Sequence, residues 1–163
     1  MSAAFVLARF GDPEKLLPAV AQLDSCPPVS RWDAVDGHVH LVISVNSTSK
    51  TLPDNIRTLA GMTEMMSYDI AEASKPKREP SPDFVSAYLF IDADPTRKEA
   101  LSATISGMPE VLSCVGVSGG CDLVVVISAE TITALERIIN DRIRPLDGIL
   151  RLKHNHIIDL KKL

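Results

Sequence analysis

Glu110-Val-Leu-Ser-Cys-Val-Gly-Val-Ser-Gly-Gly-Cys-Asp-Leu-Val-Val-Val-Ile-Ser128 is the stretch whose reading decides the fold. Two apolar runs rich in β-branched residues flank Gly119-Gly120, and glycine supplies the positive φ angles of a tight turn, so the stretch predicts a β-hairpin. Its second run, Leu123 to Ile127, is apolar on both faces. A strand of that kind lies in mid-sheet with cover on each side, helices on one and, most economically, a second sheet on the other. Asp122 interrupts the run at its mouth.

Elements of clear period surround this hairpin. Val85 to Asp92 alternates as a strand, and Asp94-Pro95 caps a helix with Leu101, Ile105 and Met108 on one face. Ile132, Leu135 and Ile139 mark a helix of about 14 residues that stops before Pro145 and Gly148. Ile149 to Leu160 reads as the last strand, with Leu150, Leu152, His154, His156, Ile158 and Leu160 sharing a face.

The order upstream is the same. Ala3 to Phe10 is a strand; Asp12-Pro13-Glu14 starts a helix whose buried stripe is Leu16, Val20 and Leu23. Pro18 inside it is expected to kink or shorten it. A second hairpin turns at Asp36-Gly37, from Val29–Asp36 into His38–Val45, with Val39, Leu41, Ile43 and Val45 on one face and His38, His40 and Ser44 on the other. A short helix from about Pro53 to Leu59 and a strand from Met62 to Ala71 follow. Asp12-Pro13 and Asp94-Pro95, Gly37 and Gly119, Leu41 and Leu123 recur at a spacing of about 82, the mark of an internal duplication.

Each half therefore reads strand, helix, strand, strand, helix, strand, a ferredoxin-like βαββαβ unit in the α+β class. Its four-stranded antiparallel sheet carries helices on one face only. Val124 and Val126 point to the other face, so the two sheets are expected to pack face to face, as in a dimeric α/β-barrel. Between the halves, Glu72 to Pro82 loses apolar periodicity and gains three prolines and three basic residues. We divide the chain into a first unit at 1–72, a solvated linker at 73–82 and a second unit at 83–163.

Composition narrows the function classes. At 163 residues, 45% hydrophobic and 23% charged, the chain buries one good core or two small ones. Its net charge of −4 offers no broad basic face for nucleic acid. There is no apolar run long enough for a bilayer and no signal-peptide order at Met1, so a cytoplasmic protein is expected. Cys26, Cys114 and Cys121 lack metal-ligand spacing and read as reduced thiols. No nucleophile elbow, P-loop or dinucleotide fingerprint is present.

Ala87-Tyr88-Leu89-Phe90, the hairpin Ser118-Gly119-Gly120-Cys121-Asp122-Leu123, and Leu135-Glu136 to Gly148-Ile149-Leu150 together resemble the effector-binding (RAM) domain of the Lrp/AsnC regulators. The first half is similar but more divergent: it keeps Ala4-Phe5-Val6-Leu7 and Gly37-His38-Val39-His40-Leu41, with His40 where the family has Asp. The helix-turn-helix that normally precedes such a domain is not expected here, because the sequence enters the first strand almost at Ser2. The resemblance implies a binding module for an amino acid or related small metabolite, held near the glycine hairpin where domains meet. It implies sheets that pair, here within one chain, and further association into a homo-oligomer or with full-length Lrp/AsnC relatives. The acidic balance and the lack of a reader helix lead us to expect no direct contact with nucleic acid, and the lack of a long apolar run none with membrane.

Carried over by position, Ser118, Gly119, Gly120, Cys121 and Asp122 are the candidate ligand-binding residues, with Gly37, His38 and His40 as a weaker equivalent site. Glycine lets backbone N–H groups approach a carboxylate, and Asp122 offers a counter-charge to an ammonium. His38/His40 and His154/His156 each project in pairs from one face of a strand, where a metal ion can in principle be gripped. No third ligand is visible, so no metal and no cofactor are expected. The functional reading is a non-enzymatic effector-binding protein; the alternatives are a cofactor-free, monooxygenase-like enzyme with His154 or His38 in a cavity, and an assembly element without ligand.

Overall fold

The computed structural model describes residues 4–47, 52–71 and 81–158. Most of the expected linker and the end of the last strand lie outside them. Among the described residues, eight antiparallel strands close into one barrel in the order β1-β3-β2-β8-β5-β7-β6-β4. The first half supplies β1 (Ala4–Phe10), β2 (Val29–Val35), β3 (Leu41–Val45) and β4 (Met62–Ile70), the second half β5 (Val85–Ala93), β6 (Val111–Ser118), β7 (Leu123–Ala129) and β8 (Ile149–Ile158). Helices α1 (Leu16–Asp24), α2 (Asp54–Arg57), α3 (Lys98–Ser106) and α4 (Ile132–Arg137) lie between the strands in sequence.

Strand alternation divides the apolar side chains into three cores. Ala4, Val6, Ala8, Leu41 and Ile43 face the first pair of helices, and Leu89, Ile91, Leu123, Val125 and Ile127 face the second. The alternate residues fill the barrel: Phe5, Leu7, Val42, Tyr88, Phe90, Val115, Val124 and Val126 form the third core. Val124 is 1% exposed and Val126 9%, so the sheets do cover each other's open faces. Burying each valine is worth about 1.5–3 kcal/mol. Two short seams join the halves, Ala34 and Val35 of β2 against Ile158 and Ile157 of β8, and Asp69 and Ile70 of β4 against Ser118 and Val117 of β6.

Several local expectations shift for identifiable reasons. Pro18 falls in the first turn of α1, after a 3-10 turn at Pro13–Lys15, where its missing N–H needs no intrahelical partner. Asp94 caps no helix directly: its Oδ1 accepts from the Thr96 backbone N–H at 2.9 Å and from the Thr96 hydroxyl at 2.8 Å, and α3 begins four residues later. Ile132 is exposed, because Thr131 caps the Ala134 N–H and makes Ile132 the first helical residue. The buried stripe there is Leu135, Ile139 and Ile143, which α4 holds on one line by widening into a π-helical turn at Ile138–Ile143.

Alternation breaks twice more. Val39 belongs to the barrel core and not with Leu41, because β3 starts only at Leu41 and His38–His40 form a connection whose His40 N–H donates to the Ala8 carbonyl. Leu150 is exposed, because the β5–β8 register slips between Asp92 and Ala93 and puts Ile149 in line with the core instead.

Candidate functional site

A cavity of about 210 Å3 opens at one end of the barrel, lined by Leu7 and Arg9 of β1, His38 and Val39, Glu64 to Met66 of β4, and Lys153 of β8. Leu7 and Val39 belong to the buried barrel core and give it an apolar floor. Arg9, Glu64 and Lys153 are exposed around its rim. Charges of both signs thus stand over a greasy base. His38 packs edge-on against Phe90, with ring centroids 6.0 Å apart. Burial, then Lys153 and Arg9, lower its pKa below the ordinary histidine value, so the ring is neutral at neutral pH.

The glycine hairpin sits elsewhere, against β4. Gly119 takes φ +111°, and a Cβ at Gly120 would lie 2.2 Å from Cε1 of Tyr68, so only glycine allows the turn to rest on that ring. Ser118, Gly119 and Gly120 are exposed, while Cys121 is buried and its thiol is pushed up to about 12 by burial first, then by Asp92 and Asp122. Asp122 Oδ2 accepts the Ala93 N–H at 2.8 Å. In the first half, Gly37 takes φ +95° and packs against Asn155, while His40 Nδ1 accepts the Phe10 N–H at 2.9 Å. The carboxylate and the imidazole that head the two candidate sites are both engaged by backbone.

Inside the barrel lies a polar group that periodicity alone did not reveal. Tyr88 donates its hydroxyl to Asp33 Oδ2 at 2.5 Å, and Arg31 pairs with the same carboxylate at 2.8 Å. Burial first, and Asp33 second, raise the Tyr88 pKa well above that of a free phenol, so it stays a donor. Tyr88 stacks on Phe90 with centroids 6.1 Å apart. Asp33 and Tyr88 come from different halves, which is why neither announces the other in sequence.

Residues 86–162 match the Lrp/AsnC ligand binding domain. That match falls on the second half of the barrel, a little under half of the chain. Among solved structures, FFRP-DM1 is 24% identical, covering 45% of this chain and 99% of its own at a TM-score of 0.45. A transcriptional regulator from Neisseria meningitidis, solved with L-methionine, is 17% identical over 54% of this chain and 61% of its own, with a TM-score of 0.47. The siroheme decarboxylase NirDL, in complex with an iron-uroporphyrin III analogue, is 10% identical but covers 96% of this chain and 71% of its own at a TM-score of 0.75. That likeness extends the fold over both halves. No curated protein matches the chain. Among the described residues no helix is long and apolar enough to cross a membrane.

Proposed function

We propose that the chain is an effector-binding protein whose ligand is an amino acid or a similarly small zwitterionic metabolite, seated at the barrel mouth. The Lrp/AsnC ligand binding domain in the second half supports the effector role. The observation that carries the choice of ligand is the rim of the cavity: Arg9 and Lys153 suit a carboxylate, Glu64 suits an ammonium, and Leu7, Val39 and Met65 suit a short side chain. Neutral His38 adds a hydrogen-bonding group without a third positive charge. Binding there changes how the protein associates, with itself or with full-length relatives, and the protein does not itself read DNA.

Thermal-shift screening with the common amino acids tests this directly, since ligand at 100 times its dissociation constant adds about 2.7 kcal/mol to stability. Arg9→Ala and Lys153→Ala are expected to weaken binding of the stabilising amino acid by tenfold or more, and Asp122→Ala to leave its affinity within threefold. If Asp122→Ala abolishes binding and the two rim variants do not, the effector belongs to Ser118–Asp122 instead. A second reading, an enzyme acting on a tetrapyrrole, draws on the fold shared with NirDL over nearly the whole chain. An iron-porphyrin titration followed by Soret absorbance belongs in the same screen; saturable binding at micromolar concentration, with no amino acid stabilising the protein, would favour it.

A further inference from the structure

On the outer, helix-covered face of β8, away from the barrel mouth, His154 and His156 stand opposite Glu136 of α4. Their ligating atoms lie within 4.8 Å of one another. Glu136 Oε1 is 2.8 Å from His156 Nε2 and 3.3 Å from His154 Nε2. Atoms bound to a tetrahedral ion at about 2.0–2.1 Å stand roughly 3.3 Å apart; the Glu136–His154 separation equals that, and the shorter Glu136–His156 contact has to widen slightly as an ion enters. We propose that Glu136, His154 and His156 form a binding site for a first-row divalent transition ion, of the zinc type, with at least one coordination position open.

The decisive residue is His156. Asp36, from the first-half turn, accepts the His156 backbone N–H on Oδ1 at 2.6 Å and faces ring Nδ1 with Oδ2 at 3.1 Å. A carboxylate beside Nδ1 holds the proton there and turns the lone pair of Nε2 outward, the arrangement that orients metal-bound histidines. Nε2 has no accessible surface and makes no hydrogen bond of acceptable geometry, although Glu136 Oε1 is only 2.8 Å away. The two donor atoms converge on one point without a well-aligned hydrogen bond between them, and an ion seated beside the pair would be bound by both. Nitrogen and carboxylate donors without sulfur suit zinc and its neighbours rather than calcium or magnesium. Asp36 comes from one half and the ligands from the other, so the ion also ties the first turn to β8 and α4.

Arg144 opposes the ion. Its Nη2 is 3.4 Å from His154 Nδ1, and because arginine only donates, that contact keeps the His154 proton on Nε2, where the metal would bind. Arg144 must swing away when the site loads, which its place on the rim of the cluster permits.

The test is zinc titration of the chelator-stripped full chain against a chromogenic chelator, with cobalt(II) as the spectroscopic probe. We expect one zinc per chain, visible cobalt d–d bands, and no sulfur-to-metal charge-transfer band in the near ultraviolet. Glu136→Gln and His154→Gln are each expected to weaken zinc by at least about 100-fold, Asp36→Asn by about tenfold, and Arg144→Ala to strengthen it several-fold. Glu136 is partly exposed on a helix, so that variant folds even where a strand variant does not. The proposal is overturned if the parent protein binds no zinc at micromolar concentration, if Glu136→Gln binds as the parent does, or if the cobalt spectrum reports thiolate ligands.

Discussion

Asp122 and His40 hold equivalent positions in the two halves and do the same work: Asp122 Oδ2 accepts the Ala93 N–H at 2.8 Å, and His40 Nδ1 accepts the Phe10 N–H at 2.9 Å. In each half the acceptor follows the hairpin glycine by three residues and closes the end of the neighbouring strand, β5 or β1. Asp122→Ala removes a charged acceptor from a part-buried N–H and is expected to cost about 1–3 kcal/mol, read as a shift of the urea midpoint at constant slope. Asp122→Asn keeps an acceptor oxygen and should cost less. If both substitutions are silent, water has taken over the bond.

Tyr88 and Asp33 bridge the halves through the barrel, and Tyr88→Phe deletes that bond while preserving the ring that stacks on Phe90. A hydrogen bond to a charged group contributes about 1.5–3 kcal/mol, and the variant should lose that much in urea unfolding. Because burial and Asp33 hold the phenol well above its ordinary pKa, Tyr88 is also expected to stay un-ionised in alkaline titration until the protein unfolds.

His38 carries a pH signature. Its folded pKa lies below the ordinary value of 6.5 through burial, Lys153 and Arg9, so protons bind the unfolded chain more readily. The stability this group contributes is complete above about 6.5 and is lost as pH falls toward its folded value. His38→Gln should flatten the acid side of a stability profile between pH 8 and pH 5 relative to the parent, and an unchanged slope would count against the cause assigned.

Cys121 is expected to be inert. Its thiol is buried and pushed up to about 12, so almost no thiolate forms at pH 8 and an alkylating reagent should leave it intact in the native protein. Mass spectrometry after brief iodoacetamide treatment, native and in denaturant, reads this residue by residue; native labelling at Cys121 would contradict it.

The architecture was legible because period and punctuation agreed. Leu123–Ile127 could be satisfied only by cover on both faces, and Asp-Pro, glycine and leucine landmarks repeated in step. What escaped was set by partners distant in sequence. Glu136 is invisible as a companion to His154 and His156 until α4 packs on β8, and Asp33 meets Tyr88 only after the sheets close. The exposure of Leu150 came from a register slip and the turn of Val39 into the barrel from the late start of β3 at Leu41, neither of which a strict two-residue alternation anticipates. Ser118–Asp122 form a contiguous stretch that a resemblance can point to, whereas the cavity beside His38 is assembled from β1, β4 and β8 and has no contiguous signature.

Closing the barrel within one chain makes its integrity a unimolecular property. Where two separate chains supply the two sheets, dilution pulls them apart, and each substitution appears on both sides of the interface at once. Here the midpoint of barrel opening has no first-order reason to follow protein concentration, and each half changes alone. Asn155 rests against Gly37 while Tyr68 rests against Gly120, two unlike solutions to one packing problem, each free of the demand that it serve its counterpart as well.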